Sequence, residues 1–225
     1  MVKISIIIPT LNEEQHITMT LQDLQCLRQQ GHEIIVVDGG SEDKTLQRIG
    51  GLYDSLISSQ RGRARQMHEG AIQASGSILW FLHADTRVPK TVIDSMIQIT
   101  ATSERLWGRF DIKLSGTHPL LRIVERLINL RSRLSGIATG DQGIFISRAL
   151  YEQVGGYPQI SLMEDVALSK RLKQQCKPLC LHQRLLTSSR RWEEKGIMRT
   201  IFLMWSLRLA YAMGVSPGTL ARYYR

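Results

Sequence analysis

The first ninety residues alternate between two kinds of pattern. Lys3–Ile8 is a continuous apolar run rich in β-branched residues, as in a strand buried on both faces. Asn12-Glu13-Glu14-Gln15 then reads as a helix start. Asn12 is placed to cap free N–H groups, the two glutamates suit the positive end of a helix, and Gln15 is placed to close a capping-box-like pair. This helix is predicted to run to about Gln29 and to stop at Gly31. Glu33–Val37 is the second strand and ends in Asp38-Gly39-Gly40-Ser41, a tight turn followed by another helix start. Tyr53–Ser58 is a third strand. Arg61–Ala74 has helical spacing, with Ala64, Met67, Ala71 and Ala74 on one side. Ser77–Leu82 is a fourth strand that closes on His83-Ala84-Asp85, and Pro89 begins the next helix.

Strand–helix alternation of this kind implies an α/β fold with a mostly parallel sheet and helices on both faces. Open sheets of this type bind ligands at the carboxyl ends of their strands. Here those ends are Pro9-Thr10, Asp38 and His83–Asp85, which are polar or turn-forming, and two of them carry a carboxylate.

Beyond residue 105 the pattern changes. Leu106–Leu114 reads as a strand, Pro119–Leu134 as a long helix with basic punctuation, and Gly143–Ser147 as a short strand after Gly140-Asp141-Gln142. Leu162–Lys173 is a helix whose start holds Glu164-Asp165, and Leu179–Leu186 is a further strand. Gly196–Val215 is a strongly apolar helix. Arg199 and Arg208, nine residues apart and on opposite helix faces, interrupt any apolar span of about 20 residues, so a membrane-crossing helix is not expected. Three uses stay open for it: packing on its own domain, pairing with a second subunit, or lying on a membrane surface near Arg199, Arg208, Arg222 and Arg225. One domain over residues 1–190 with a C-terminal helical tail over 191–225 fits best.

Composition narrows the function classes. The 225 residues are 43% hydrophobic and 22% charged, which excludes wholesale disorder, collagen and a disulfide-framed miniprotein. A net charge of +9 favours anionic company, whether nucleotide phosphates, nucleic acid or an anionic membrane face. Cys26, Cys176 and Cys180 read as reduced thiols of a cytosolic protein, and the last two lack a second Cys or His pair to complete a zinc site. The opening apolar run is too short for a secretion signal. The expected location is cytoplasmic, with attachment to the inner membrane face left open.

Phosphate-loop, dinucleotide-fold, serine-elbow and zinc-protease motifs do not occur. What remains is a set of carboxylates on loops. Asp38 suits either a base or ribose contact or simple turn chemistry. Asp85 suits hard oxygen ligation of Mg²⁺ or Mn²⁺ bridging to a diphosphate, with His83 nearby. Glu164-Asp165 suits either a helix dipole or general-base work on an acceptor hydroxyl. Arg61, Arg63 and Arg65 cluster beside Gly62 at a helix start, a natural place for phosphate.

The ordered combination is more specific than its parts. Ile4–Pro9-Thr10-x-Asn12-Glu13, Val36-Val37-Asp38-Gly39-Gly40-Ser41, Gly62-x-Ala64-Arg65-x-x-x-x-Gly70, Phe81-Leu82-His83-Ala84-Asp85, Gly155-Gly156 and Glu164-Asp165 follow one another over more than three quarters of the chain. This series resembles the family-2 glycosyltransferases, whose fold is the GT-A nucleotide-sugar fold. The resemblance implies a metal-dependent, inverting transfer of a sugar from a nucleotide-diphosphate donor to an unidentified acceptor hydroxyl. It implies that Pro9, Thr10, Glu13, Asp38, Arg65 and His83 bind the donor nucleotide, and that Asp85 holds the divalent metal, Mn²⁺ or Mg²⁺. His83 stands where the family usually has the first Asp of Asp-x-Asp. Asp165 is the implied catalytic base and Glu164 its neighbour. Asp141, Gln142, Arg191 and Trp192 match the acceptor side more loosely, since Ser188 replaces the Gln of Gln-x-x-Arg-Trp. Leu-His-Ala-Asp-Thr, Gly-Asp-Gln-Gly and Leu-Met-Glu-Asp-Val are most similar to short bacterial members associated with arsenosugar biosynthesis. The implied partners are a nucleotide sugar, a hydroxyl acceptor and, as open alternatives, a membrane surface or a second copy of the chain; nucleic acid is not expected. The competing class is a basic nucleotide- or nucleic-acid-binding module without transferase activity.

Overall fold

In the computed structural model, residues 2–99 and 106–224 are described; Arg225, one of the basic residues considered for a membrane surface, lies outside them. Seven strands form one sheet: β1 (Ile4–Thr10), β2 (Glu33–Asp38), β3 (Ser55–Ser58), β4 (Ile78–Phe81), β5 (Trp107–Leu114), β6 (Phe145–Ser147) and β7 (Leu179–Thr187). Their spatial order is β3-β2-β1-β4-β6-β5-β7. The pairs β1–β2, β1–β4, β2–β3 and β5–β7 are parallel, and only β6 runs against its neighbours β4 and β5. The expected α/β class with a mostly parallel sheet is therefore the observed one.

The continuous apolar reading of the first strand has a direct physical counterpart. Ile4, Ile6 and Ile8 join one buried cluster with Leu21, Leu24 and Val92, whereas Ile7 joins another with Val37, Met67 and Ala71. Alternate side chains of β1 thus enter two separate cores, one under α1 (Ile17–Asp23), α2 (Gln25–Gln29) and α5 (Lys90–Ile99), the other under α4 (Arg63–Gln73), α7 (Arg148–Gln153) and α8 (Glu164–Gln175). Helix α4 lies close on the sheet because of Gly70: a Cβ there would sit 2.6 Å from Ile7 Cγ2 and 2.9 Å from Val37 Cγ2.

The register aligns the functional ends. Thr10 pairs with Asp38 and Ile7 with Phe81, so β1, β2 and β4 finish along one edge. The chain beyond β5 adds α6 (Pro119–Ser135), which starts at Pro119 and stops at Gly136 in the left-handed region (φ 66°). After β7 come α9 (Arg190–Lys195), α10 (Ile197–Ala212) and α11 (Pro217–Tyr224). These pack back on the body. Trp192, Ile197 and Ile201 meet Ile112, Leu114, Leu121 and Val124, and Leu207 and Leu220 meet Met163 and Val166.

One predicted element is corrected. Asn12 does not cap a helix; it stands in the left-handed region (φ 55°), and the first helix begins only at Ile17, with no side-chain cap from His16. Residues 12–14 are held instead by the loop after β2. The Asn12 Oδ1 accepts the Glu42 N–H (2.9 Å), Thr45 Oγ1 accepts the Glu13 N–H (2.7 Å), and Glu14 Oε2 accepts the Lys44 N–H (3.0 Å). Capping within a helix lost to bonding between loops. The predicted single helix to Gln29 also breaks at Leu24 into α1 and α2.

Candidate functional site

Loops at the aligned strand ends and the start of α8 build the site. The loop after β1 is fixed from below by Gln66 of α4, whose amide donates to Thr10 O (2.9 Å) and Val37 O (2.8 Å). Gly39 leaves room for that side chain; its Cβ would stand 3.0 Å from the Gln66 amide. Thr10 is buried and donates its hydroxyl to Ile8 O. Asp38, also buried, closes its own turn: its carboxylate accepts the N–H of Gly40 (2.9 Å), the N–H of Ser41 (3.0 Å) and the Ser41 hydroxyl (2.5 Å).

The turn after β4 carries His83 and Asp85, and Thr20 of α1 ties it down by donating to Ala84 O (2.7 Å). Asp85 faces Glu13, His16 and Arg190. Burial, and then the Asp85 carboxylate beside it, push the Glu13 carboxyl up to about 7. Burial likewise raises Asp85, against the pull of His16 and Arg190. Arg190 Nη2 stands 3.8 Å from Glu13 Oε1. Two carboxylates thus face each other, with Arg190 near both and His16 and Arg63 acting on Asp85, and Glu13 Oε2 has no hydrogen-bond partner.

The third part is the start of α8. Met163 precedes it in the left-handed region (φ 67°). It and Asn12 are the non-glycine residues with positive φ among the described ones, and each is followed at once by a site glutamate, Glu164 and Glu13. Glu164 is buried and lies 3.1 Å from Arg63 Nε. Burial raises its carboxyl and the Arg63 charge opposes that rise. Asp165, one residue on, accepts the Gly140 N–H at Oδ2 (2.9 Å) and the Val166 N–H at Oδ1 (2.7 Å). Gly140 has no room for a side chain: a Cβ there would collide with Arg63 Nη2 and come within 2.7 Å of His83 Nε2. Burial, then the Arg63 charge, hold the His83 imidazole well below the usual histidine range, so it is neutral near pH 7.

Glu164 and Asp165 open onto a cleft of about 720 Å³. Its polar end is made by Arg63, His83, Thr139, Asp141, Glu164 and Asp165, and its walls are apolar residues of α6 and α10. Arg191 and Trp192 line it too. Arg191 is engaged by Tyr224, stacking 3.6 Å from the ring centre and donating to Tyr224 O (2.7 Å). Gln142 has a structural part, its Oε1 accepting the Thr139 N–H and hydroxyl.

The structure therefore lines one depression with His83, Asp141, Glu164, Asp165, Arg191 and Trp192, places Glu13 beside Asp85, and sets Pro9, Thr10 and Asp38 at the ends of β1 and β2. Arg65 is not gathered. It is exposed and bonds Gln60, while Arg63 turns into the cleft. Helical geometry explains the difference, since two residues apart means opposite sides of α4. Arg63 shares the side of Met67, four residues on, and Arg65 faces out. Neither Gln66 nor Arg190 stands out as a site residue in the sequence. A lone amide among Ala64, Met67 and Gly70 was the available signal for Gln66; Arg190 offered none beyond its place beside Arg191-Trp192.

Among the described residues, no group of three or more His, Cys, Asp or Glu is arranged to hold a metal. Asp85 and Glu13 nonetheless suit a hard divalent cation. They are oxygen donors, they repel each other, and one oxygen is orphaned; Mg²⁺ and Mn²⁺ sites of this kind take one or two carboxylates and complete their shell with substrate phosphates and water.

The fold is that of known nucleotide-sugar enzymes. A mannosyltransferase from Pyrobaculum calidifontis, solved with GDP-Man and Mn²⁺, superposes with a TM-score of 0.68 at 17% identity, covering 99% of this chain and 69% of that one. Residues 1–349 of S. aureus TarS, solved with UDP, superpose with a TM-score of 0.66 at 19% identity, covering 83% of this chain; the match spans 60% of the TarS chain. In sequence, an uncharacterised glycosyltransferase of Mycobacterium tuberculosis is 26% identical over 189 residues, 79% of this chain and 71% of the relative. These likenesses do not favour a binding module without transferase activity. Residues 5–142 match the family described as Glycosyl transferase family 2, which is more than half of the chain, and the protein belongs to that family.

Proposed function

We propose that the protein transfers a sugar from a nucleoside-diphosphate donor to an acceptor hydroxyl, with inversion at the anomeric carbon and with help from a divalent cation. The carrying observation is where unsatisfied polar atoms collect. Thirteen buried side-chain nitrogen and oxygen atoms lack a hydrogen-bond partner among the described residues. Five of them belong to Arg63, His83, Arg131, Asp141 and Arg191, which line the cleft, and two to Glu13 and His16, the neighbours of Asp85. Buried polar groups are ordinarily paired, so such a concentration marks a surface built for a polar ligand. The solved neighbours with UDP or with GDP-Man and Mn²⁺ support the donor class and the cation.

In this reading Pro9, Thr10 and Asp38 border the nucleoside. Asp85, with Glu13, holds the cation, which when bound neutralises charge on the departing diphosphate. Arg63 and Arg190 supply fixed positive charge on either side of the diphosphate. Neutral His83 offers an uncharged hydrogen bond to donor hydroxyl or phosphate oxygen, where a carboxylate would repel phosphate. Asp165 takes the acceptor proton as the hydroxyl attacks. Its Oδ2 is oriented by the Gly140 N–H, and Glu164, tied to Arg63, keeps the helix start in place. Residues of the tail between Arg191 and Tyr224 form one wall of the acceptor side. A panel of nucleoside diphosphates and nucleotide sugars, with and without Mn²⁺, tests the donor assignment by thermal shift, because a bound ligand raises stability by mass action. A stabilising diphosphate is expected, with the larger shift in Mn²⁺; no shift from any member would overturn the assignment.

A further inference from the structure

The cleft is walled largely by apolar residues of α6 and α10. On α6, Ile123, Leu127, Leu130 and Leu134 are 47–79% exposed; on α10, Met198, Phe202, Trp205 and Leu209 are 51–67% exposed. Both sets follow the same spacing, i, i+4, i+7 and i+11, so each is a single stripe about 16 Å long on its helix. The opposite sides of the two helices are buried against the body through Leu121 and Leu207. Two exposed stripes therefore stand beside a cavity whose walls they share, through Leu127, Leu130, Trp205 and Leu209, and whose inner end holds Asp165.

The charges on these elements point to an occupant. Helices α6, α10 and α11 carry seven arginines, Arg122, Arg126, Arg131, Arg133, Arg199, Arg208 and Arg222, against one acid, Glu125, which is buried and paired with Arg122. Arg131 and Arg208 both line the cavity. Burial and the neighbouring Arg208 charge lower Arg131 to about 10, against the pull of Asp141 and Asp165. Nη2 of Arg131 has no hydrogen-bond partner. A hydrocarbon groove with an arginine pair inside it and basic flanks around it complements an amphiphile drawn from an anionic lipid surface.

We propose that the acceptor is a membrane amphiphile: its hydroxyl-bearing head enters at Asp165 beside Arg131 and Arg208, and its hydrocarbon chain lies between α6 and α10, with those helices resting on the lipid surface. No helix among the described residues is long and apolar enough to cross a membrane, and the proposed contact is through the exposed faces of α6 and α10. This rests on the transferase reading of the site and adds the class of acceptor.

The test uses the full chain, vesicles of phosphatidylcholine with 0 or 30 mol% phosphatidylglycerol, and dibrominated phosphatidylcholine as a contact quencher. Wild type is expected to float with the anionic vesicles, and its tryptophan emission to be quenched there; the share of quenching from Trp205 is read by difference with Trp205→Phe. Leu130→Ser/Trp205→Ser is expected to lose at least tenfold in vesicle affinity while keeping the thermal shift with nucleoside diphosphate and Mn²⁺. That shift separates the two ideas, since its presence without vesicle binding overturns the amphiphile alone. Full recovery of wild type in the unbound fraction overturns the proposal. So does a concentration-dependent dimer by light scattering that the double variant abolishes while vesicles leave emission unchanged, for then a second copy covers the stripes.

Discussion

The backbone N–H of Gly140 donates to Oδ2 of Asp165 across 2.9 Å, joining two segments that are 25 residues apart in the chain. This bond aims one carboxylate oxygen. It depends on Gly140 having no side chain, because Arg63 and His83 occupy that space. Gly140→Ala is expected to push Arg63 off Glu164 and to weaken nucleoside-diphosphate binding by about tenfold, roughly 1.4 kcal/mol. Calorimetric titration of the diphosphate in Mn²⁺ checks this.

The Arg63–Glu164 pair is also expected to matter for stability. Glu164 is buried, and Arg63 is the cation that offsets its burial. Arg63→Met leaves the carboxyl without that cation and is expected to cost about 1–3 kcal/mol, less than a fully buried pair because Arg63 is partly exposed. Arg63→Met/Glu164→Gln should recover most of the loss. Urea unfolding of the two single variants and the double variant measures the coupling.

Much of this architecture is legible in the sequence, and the reasons are specific. Lys3–Ile8, Glu33–Val37 and Ser77–Leu82 announce themselves because both faces of each strand are buried, which leaves no polar alternation to confuse them with surface elements. The strand ends follow at once, and with them Asp38 and Asp85. Asn12 misleads because its local pattern is that of a helix cap, whereas its actual partner, the Glu42 N–H, lies thirty residues away. Arg63 and Arg65 are equivalent in composition and differ only in which side of α4 they share with Met67. The two apolar stripes are visible as helical periodicity, but their exposure is not: the sequence leaves Gly196–Val215 open between packing and surface use, and the fold shows that Thr200 and Leu207 are its buried residues.

Loss of stability in acid should trace to Glu33 on the sheet. Burial pushes the Glu33 carboxyl up, but hydrogen bonds from Ser5, from the Ser75 N–H (2.5 Å) and hydroxyl, and from Lys3 outweigh it and hold the group at about 2. A folded pKa below the unfolded one adds stability that is present above about pH 4.5 and is lost as pH falls toward 2. Denaturation midpoints between pH 5 and 2 should fall more steeply for wild type than for Glu33→Gln. Equal slopes would show that Glu33 is not the group responsible.

Cation dependence should trace to one face of the rim. Transfer is expected to stop on exhaustive chelation and to return with Mn²⁺ or Mg²⁺. Asp85→Asn is expected to raise the Mn²⁺ concentration for half-maximal activity at least tenfold, since it removes the carboxylate that the Glu13 side faces. Activity measured across a Mn²⁺ series for both proteins decides this, and undiminished turnover in chelator would remove the cation from the reaction.

The central claim is that Asp165 removes the acceptor proton at a rim that independently grips the donor. Asp165→Asn keeps an oxygen for the Gly140 N–H but cannot take a proton, so binding and chemistry should part company. The direct measurement is turnover of the donor identified by thermal shift, set beside its dissociation constant, for wild type and Asp165→Asn. The account predicts a dissociation constant unchanged within about twofold and a turnover reduced by about 10²-fold or more. Turnover at the wild-type rate with the same donor affinity would contradict it.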